Sequence, residues 1–283
     1  MKRIIIYTNQ YKDPHLEVTG KIRSYLEVAG CEVFTVTQPE SYCTEEGCAL
    51  VSKLDGSDCV LALGGDGTVL QAVHEMQGRE IPLLGVNLGT LGYMTEVEPV
   101  NLPHALDRLL KGDYKTEHRM MLSGKVITHP DAEDEWALND IVITRSGPMQ
   151  IINYRVYVNG LFLHEYNGDG VIITTPTGST GYNLSAGGPL VEPCAELIML
   201  TPICPHTLNH RSIILSSADT IEIEVTPSRV GRSQSVEVNF DGNRRIPLSP
   251  GDRIRIVKSA RNTEFIRINQ ESFLETLHKK MME

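Results

Sequence analysis

The chain has 283 residues, of which 41% are apolar and 22% charged, and its formal net charge is −10. That length and balance fit one or two globular domains with a sizeable core. The acidic excess argues against a nucleic-acid or anionic-membrane surface, which needs clustered Lys and Arg, but leaves room for a local basic pocket for phosphate.

Elements follow in chain order. Residues 2–7 (KRIIIY) read as a buried strand. Residues 15–29 carry Val18, Ile22, Tyr25, Leu26 and Ala29 at helical spacing, with Gly30 placed to end the helix. Strands are predicted at 31–36, 59–63 and 81–86, and helices at 68–77 and 101–110. Strand–helix alternation with short, wholly apolar strands predicts an α/β domain with a parallel sheet, over residues 1–115. From 116 to 283 the pattern turns to period two. Extended runs flank Asn159-Gly160 and precede Asp241-Gly242, both dipeptides suited to tight hairpin turns. Further strands are predicted at 220–225, 235–240 and 253–257, giving a β-rich second domain. The stretch 270–282 places Phe273, Leu274, Leu277 and Met281 on one helical face that packs on either domain.

No stretch approaches the ~18 apolar residues of a membrane span. The opening MKRIIIYTNQ lacks the apolar length and cleavage site of a signal peptide. Cys31, Cys43, Cys48, Cys59, Cys194 and Cys204 form no CxxC pair, so no zinc site is expected, and scattered thiols suit a reducing cytoplasm.

The junction at 61–70, LALGGDGTVL, sets one carboxylate, Asp66, among three glycines at the carboxyl end of a predicted strand. Ligands bind at that edge of open α/β sheets, and glycines let the backbone approach a bulky anion at a helix N-terminus. The stretch is neither GxGxxG with a following acid nor GxxxxGK[ST]. A turn capped by Asp or Thr is the plainer alternative. A carboxylate inside a phosphate cradle must face something other than phosphate, either a hydroxyl to be aligned or a magnesium ion on the phosphates.

Three later stretches add to this. GVNLGTLGY (85–93) is a second glycine cluster after a strand, with Tyr93 placed to stack on a base. ALNDIVITR (137–145) sets Asn139 beside Asp140, an amide and a carboxylate able to grip a base edge and ribose hydroxyls. GDGVIITTPTGSTGYNL (168–184) crowds hydroxyls and backbone N–H groups around 177–180, with Asp169 before them and an aromatic ring after.

Together with PICPHTLNHR (202–211), these stretches resemble the bacterial-type NAD kinases over nearly the whole chain. GGDGT alone is shared with lipid kinases and 6-phosphofructokinases and leaves the acceptor open. The resemblance implies an α/β domain and a β-rich sandwich with NAD between them, in a homodimer or homotetramer whose neighbouring subunit contributes to the site. It implies transfer of the γ-phosphoryl of ATP, with Mg²⁺, to the 2′-hydroxyl of the adenosine ribose of NAD. Some members also accept inorganic polyphosphate. By the same resemblance Asp66 is the proton acceptor. The binding residues are Gly67, Thr68, Tyr93, Asn139, Asp140, Asp169, Thr180, Gly181, Tyr182, Asn183, Leu184, Ser185 and Asn243. The metal is expected on the nucleotide phosphates and not on protein ligands. The chain departs from the common pattern at Asn167, Gly181 and Asn243, where a basic residue, Ala and Gln are frequent. Two competing readings are a lipid kinase sharing GGDGT, and a non-catalytic NAD(P) sensor that would have lost the cradle aspartate.

Overall fold

The computed structural model describes residues 1–39, 49–90, 92–147, 151–206, 211–227, 234–269 and 271–282. The pair Cys43 and Cys48, Leu91 of the second glycine cluster, and 207–210 of PICPHTLNHR lie outside them. The chain divides into two compact units, one of Met1–Arg119 with Thr263–Glu283 and one of Met120–Asn262.

In the first unit β1 (Arg3–Thr8), α1 (Glu17–Val28), β2 (Glu32–Thr37), the one-turn α2 (Val51–Leu54), β3 (Cys59–Gly64), α3 (Asp66–Glu75), β4 (Leu83–Asn87) and α4 (Leu102–Lys111) follow in order. The strands pair in parallel in the order β2-β1-β3-β4. β3 is buried throughout, as its unbroken apolar run requires of a strand covered on both faces. Ile4, Ile6, Leu61, Leu63, Leu84 and Val86 of the strands pack with Ile22 and Leu26 of α1 and with Leu106 and Leu109 of α4. Local chemistry sets the helix ends. The buried Asp13 carboxylate accepts the backbone N–H groups of Val18 and Thr19 at the start of α1. Gly112, with φ +72°, ends α4. Because β1 is followed by β2 on one side while β3 lies on the other, the order reverses between β1 and β3. Such a switch point opens a crevice at the carboxyl ends of the strands.

In the second unit β5 (Lys115–Val126) enters from the first, followed by β6 (Glu135–Ala137), β7 (Asp140–Arg145), β8 (Ile152–Val158), β9 (Leu161–Gly168) and β10 (Gly170–Thr174). Then come α5 (Tyr182–Ser185), β11 (Leu197–Ile203), β12 (Ile213–Ser216), β13 (Ile221–Thr226), β14 (Val236–Phe240), β15 (Arg244–Leu248) and β16 (Arg253–Arg267). One antiparallel sheet runs β12-β11-β10-β7-β14-β15, and the other holds β13 between β16 and β8, with β9 at its edge. Inward residues of both sheets, such as Ile141, Ile143, Val171 and Ile173 against Tyr154, Val156, Ile223 and Ile254, form one core. β13 and β14 alternate buried and half-buried positions, the period-two pattern read in the sequence. Asn159-Gly160 and Asp241-Gly242 take the positive φ values of their hairpin turns.

The last stretch belongs to the first unit. The distal part of β16 pairs in parallel with β4, Phe265 opposite Leu83. Helix α6 (Phe273–Met281) starts at a capping box between Ser272 and Glu275 and sets the Phe273 ring 5.9 Å from Tyr93. Its apolar face is only partly used, because Leu274 and Met281 stay exposed. Strand β16 is also longer than the predicted 253–257. Its continuation, KSARNTEFIR, breaks the apolar alternation that marks a strand.

Candidate active site

Asp66 is the first residue of α3, not a loop residue ahead of it, with Gly65 in extended backbone as the N-cap. The carboxylate is held by main chain from the second glycine cluster. Tyr93 N–H donates to Oδ2 at 2.8 Å, and Met94 and Thr95 N–H donate to Oδ1 at 3.0 and 3.4 Å. Glycine is needed where the two loops meet. A Cβ on Gly92 would stand 2.1 Å from Asp66 Oδ1, and one on Gly85 2.7 Å from the Met94 carbonyl oxygen. A Cβ on Gly64 would stand 2.2 Å from Thr68 Oγ1. At Gly67, by contrast, a Cβ meets nothing within 4 Å, so the first turn of α3 is open there.

Two of the residues expected to contact ligand here are otherwise engaged. The Thr68 hydroxyl points inward, accepting from Asn9 Nδ2 at 3.1 Å and donating to Gln38 Oε1 at 3.1 Å. Behind it Gln71 and Tyr7 both donate to the buried Glu75 carboxylate, which completes a polar anchor beneath α3. The Thr68 N–H in turn donates to the Gly65 carbonyl at 2.9 Å, so both its hydroxyl and its amide are engaged within the protein. The Tyr93 ring, expected to stack on a base, has Phe273 on it and Lys280 Nζ 4.6 Å from its centroid. Burial first and the Asp66 charge second raise the Tyr93 phenol above its ordinary range.

In the second unit Asn139 and Asp140 open β7. The Asp241 carboxylate of the β14–β15 hairpin reaches back across about a hundred residues of sequence to accept the N–H groups of Leu138, Asn139 and Asp140, at 2.6, 2.8 and 2.9 Å. The sequence reading took Asp241 only as a turn residue, and nothing in a turn dipeptide shows that its side chain braces a distant segment. Burial, and then the neighbouring Asp241 charge, push the Asp140 carboxyl up to about 8. The Asn139 and Asn243 Oδ1 atoms are buried without a hydrogen-bond partner. Buried polar atoms are nearly always satisfied, so both amides are open to a further hydrogen-bond donor.

Much of the hydroxyl-rich stretch at the end of β10 and after it bonds within the protein. Thr174 Oγ1 donates to the Asn139 carbonyl at 2.9 Å and Thr175 Oγ1 to the Leu138 carbonyl at 2.6 Å. Ser179 Oγ both donates to and accepts from the Val191 backbone. Asn183 is fully buried, donating to the Ser179 and Pro189 carbonyls and accepting from Thr201. Thr180 Oγ1 reaches the Thr177 carbonyl at 3.4 Å. Gly181, Tyr182, Leu184 and Ser185 are the exposed members of the stretch. Asp169 is held by Arg145 Nε at 2.9 Å. Burial raises the Tyr182 phenol, and Cys204, Asp169 and Asp140 add to the rise, which gathers these groups in one neighbourhood.

Among the described residues no cluster of three or more His, Cys, Asp or Glu is placed to hold a metal, and no helix is long and apolar enough to cross a membrane. The family model for the ATP-NAD kinase N-terminal domain matches residues 4–114, and that for the ATP-NAD kinase C-terminal domain matches 138–268. The NAD kinase of Lachnoclostridium phytofermentans is 43% identical, with 99% of each chain covered, and that of Agathobacter rectalis is likewise 43% identical over 99% of each. In structure the chain is similar to an NAD kinase from Archaeoglobus fulgidus solved with ATP, at a TM-score of 0.79 and 26% identity, covering 98% of this chain and 99% of that one. It shares the fold of yeast NADH kinase solved with NADH, at a TM-score of 0.87 and 23% identity, covering 100% of this chain and 88% of that one. This chain belongs to the NAD kinase family.

Proposed function

We propose that the chain phosphorylates NAD to NADP at the 2′-hydroxyl of the adenosine ribose, with ATP as donor and Asp66 as the group that aligns that hydroxyl and takes its proton. The observation that carries the role of Asp66 is its grip by the amides of Tyr93, Met94 and Thr95. An ionised carboxylate has about four acceptor positions. Two on Oδ1 and one on Oδ2 are filled from the protein, which leaves one on Oδ2 for an incoming hydroxyl. The carboxylate is thus aimed before substrate arrives, as alignment-driven phosphoryl transfer demands.

As the 2′-oxygen forms its bond to the γ-phosphorus, the bond from that phosphorus to the bridging oxygen breaks, ADP leaves, and the 2′-proton passes to Asp66. A sugar hydroxyl is a weak acid, so the proton moves late. Mg²⁺ enters as part of the MgATP substrate, where it neutralises phosphate charge. Asn139 and Asn243 offer amides to the acceptor nucleotide. Asp140, whose carboxyl burial raises well above the usual range, lies beside Asn139 in sequence, and Tyr182 offers an exposed ring. The exposed Leu161, Phe162 and Leu163 of the sheet-edge strand β9 support assembly of copies into a homodimer or homotetramer, which light scattering would measure. The same reading places the enzyme in the cytoplasm.

The test incubates the purified chain with NAD, ATP and Mg²⁺ and reads product with an NADP-specific dehydrogenase. NADP in proportion to enzyme is expected. Phosphorylation of vesicle diacylglycerol without NADP, or NAD binding without turnover of either acceptor, would overturn the proposal.

A further inference from the structure

The turn after β1 carries one lysine on a backbone held at both ends, with its side chain exposed. Asn9 N–H donates to the Leu63 carbonyl at 3.0 Å, and Lys12 and Asp13 N–H both donate back to the Asn9 carbonyl, at 3.1 and 3.0 Å. Asn9 Oδ1 accepts from Tyr11 N–H, and Asn9 Nδ2 reaches Thr68 in α3. Asp13 on the other flank is buried and bonded to Thr19. Lys12 therefore hangs from a turn fixed at both ends.

Its side chain runs over the two glycine loops. A Cβ on Gly65 would lie 2.6 Å from Lys12 Nζ, and one on Gly89 would lie 3.2 Å from it. The ammonium thus stands at the N-cap of α3 and against the loop that follows β4, beside the switch point between β1 and β3. No acidic side chain among the described residues pairs with it, although the chain carries ten more acids than bases. The Asp66 carboxylate of the same glycine loop is engaged by the amides of 93–95, and the adjacent Asp13 by Val18 and Thr19. A lone ammonium, glycines that leave room over the main chain, and the open N-terminus of a ten-residue helix all favour an anion at this place.

We infer that Lys12 is a further catalytic residue, whose Nζ contacts the phosphate chain of ATP and neutralises charge on it during transfer. The inference rests on the reading of the chain as an NAD kinase. It assigns Lys12 to the phosphates of the donor and not to the diphosphate of NAD.

Lys12→Met keeps the aliphatic stem and removes the charge, and Lys12→Arg restores a cation. Steady-state kinetics would vary ATP and NAD separately, and calorimetry would measure NAD binding. For Lys12→Met, kcat/KM for ATP is expected to fall about 100-fold, in the range seen when one donor to a developing anion is removed. The NAD dissociation constant should stay within about twofold of wild type, and Lys12→Arg should recover a substantial part of the loss, because the cation and not the packing is at stake. ATP kinetics within twofold of wild type in Lys12→Met would overturn the proposal. So would a loss confined to NAD binding, or a loss that Lys12→Arg does not relieve while NAD binding is intact. Absence of NADP formation by the wild type would instead count against the kinase reading itself, so the two failures are told apart.

Discussion

Two stretches rich in small residues, 64–68 in the first unit and 174–185 in the second, look alike in composition and do opposite things. In the first, glycines hold space open, and one carboxylate is aimed by main-chain amides from another loop. In the second, the hydroxyls of Thr174, Thr175 and Ser179 and the amide of Asn183 bond to the protein's own backbone. The first stretch leaves open space beside its carboxylate. In the second, Thr174 and Thr175 brace the carbonyls of Asn139 and Leu138. A Ser or Thr beside a buried carbonyl finds an internal partner, so a crowd of hydroxyls in sequence does not by itself mark a ligand surface.

The comparison breaks most sharply at Gly92. Its Cβ in Gly92→Ala would collide with Asp66 Oδ1, so turnover should fall on the order of 100-fold, as a misplacement of about 1 Å does. Kinetics with unchanged NAD binding would check it. On the bracing side, Asp241→Ala strips the acceptor from three backbone donors. A stability loss of about 3–5 kcal/mol is expected in urea titration, since each unsatisfied buried group costs roughly 1–3 kcal/mol. Thr175→Val removes one bond to the Leu138 carbonyl and should cost about 1–2 kcal/mol with little change in the ATP kinetics. An ATP-side defect in this variant would blur the division between the two stretches.

A separate effect is one of pH. Asp140 is raised in the folded state from 3.8 to about 8, so the native chain binds its proton more tightly than the unfolded chain does. The stability linked to that proton is full below about pH 4 and is lost as pH rises through 8. Wild-type Tm should therefore fall between pH 5 and 8, and Asp140→Asn should show a flatter profile over that window. Equal slopes would show that Asp140 is ionised in the native protein.

Most elements were legible because hydrophobic periodicity is written locally. β1, α1, β3 and α4 lie within a few residues of their predicted bounds, and the turns at Asn159 and Asp241 follow from residues that tolerate positive φ. GGDGT was legible as a glycine-rich strand-to-helix junction carrying one carboxylate. What holds Asp66 was not, because the donors are backbone N–H groups of 93–95, and side-chain types say nothing about them. Asp241 was hidden for a related reason, since its partners lie about a hundred residues upstream. The expected boundary at 115/116 differs from the structural division, because the return of 263–283 to the first unit depends on a pairing of β16 with β4 that no local pattern encodes. Lys12 was equally invisible, being one charged residue in a polar turn until the fold laid it over Gly65 and Gly89.

The central claim is that Asp66 is poised on the acceptor hydroxyl rather than serving only to hold two loops together. Asp66→Asn tests it, since the amide keeps the shape and an acceptor for Met94 N–H while losing the charge and the capacity to take a proton. The decisive measurement is kcat for NADP formation together with the NAD dissociation constant. The account predicts that kcat falls by about 10²–10⁴-fold, the usual contribution of a positioned base, while NAD binding changes by less than about threefold. A variant that binds NAD normally and turns it over at a near wild-type rate would contradict it.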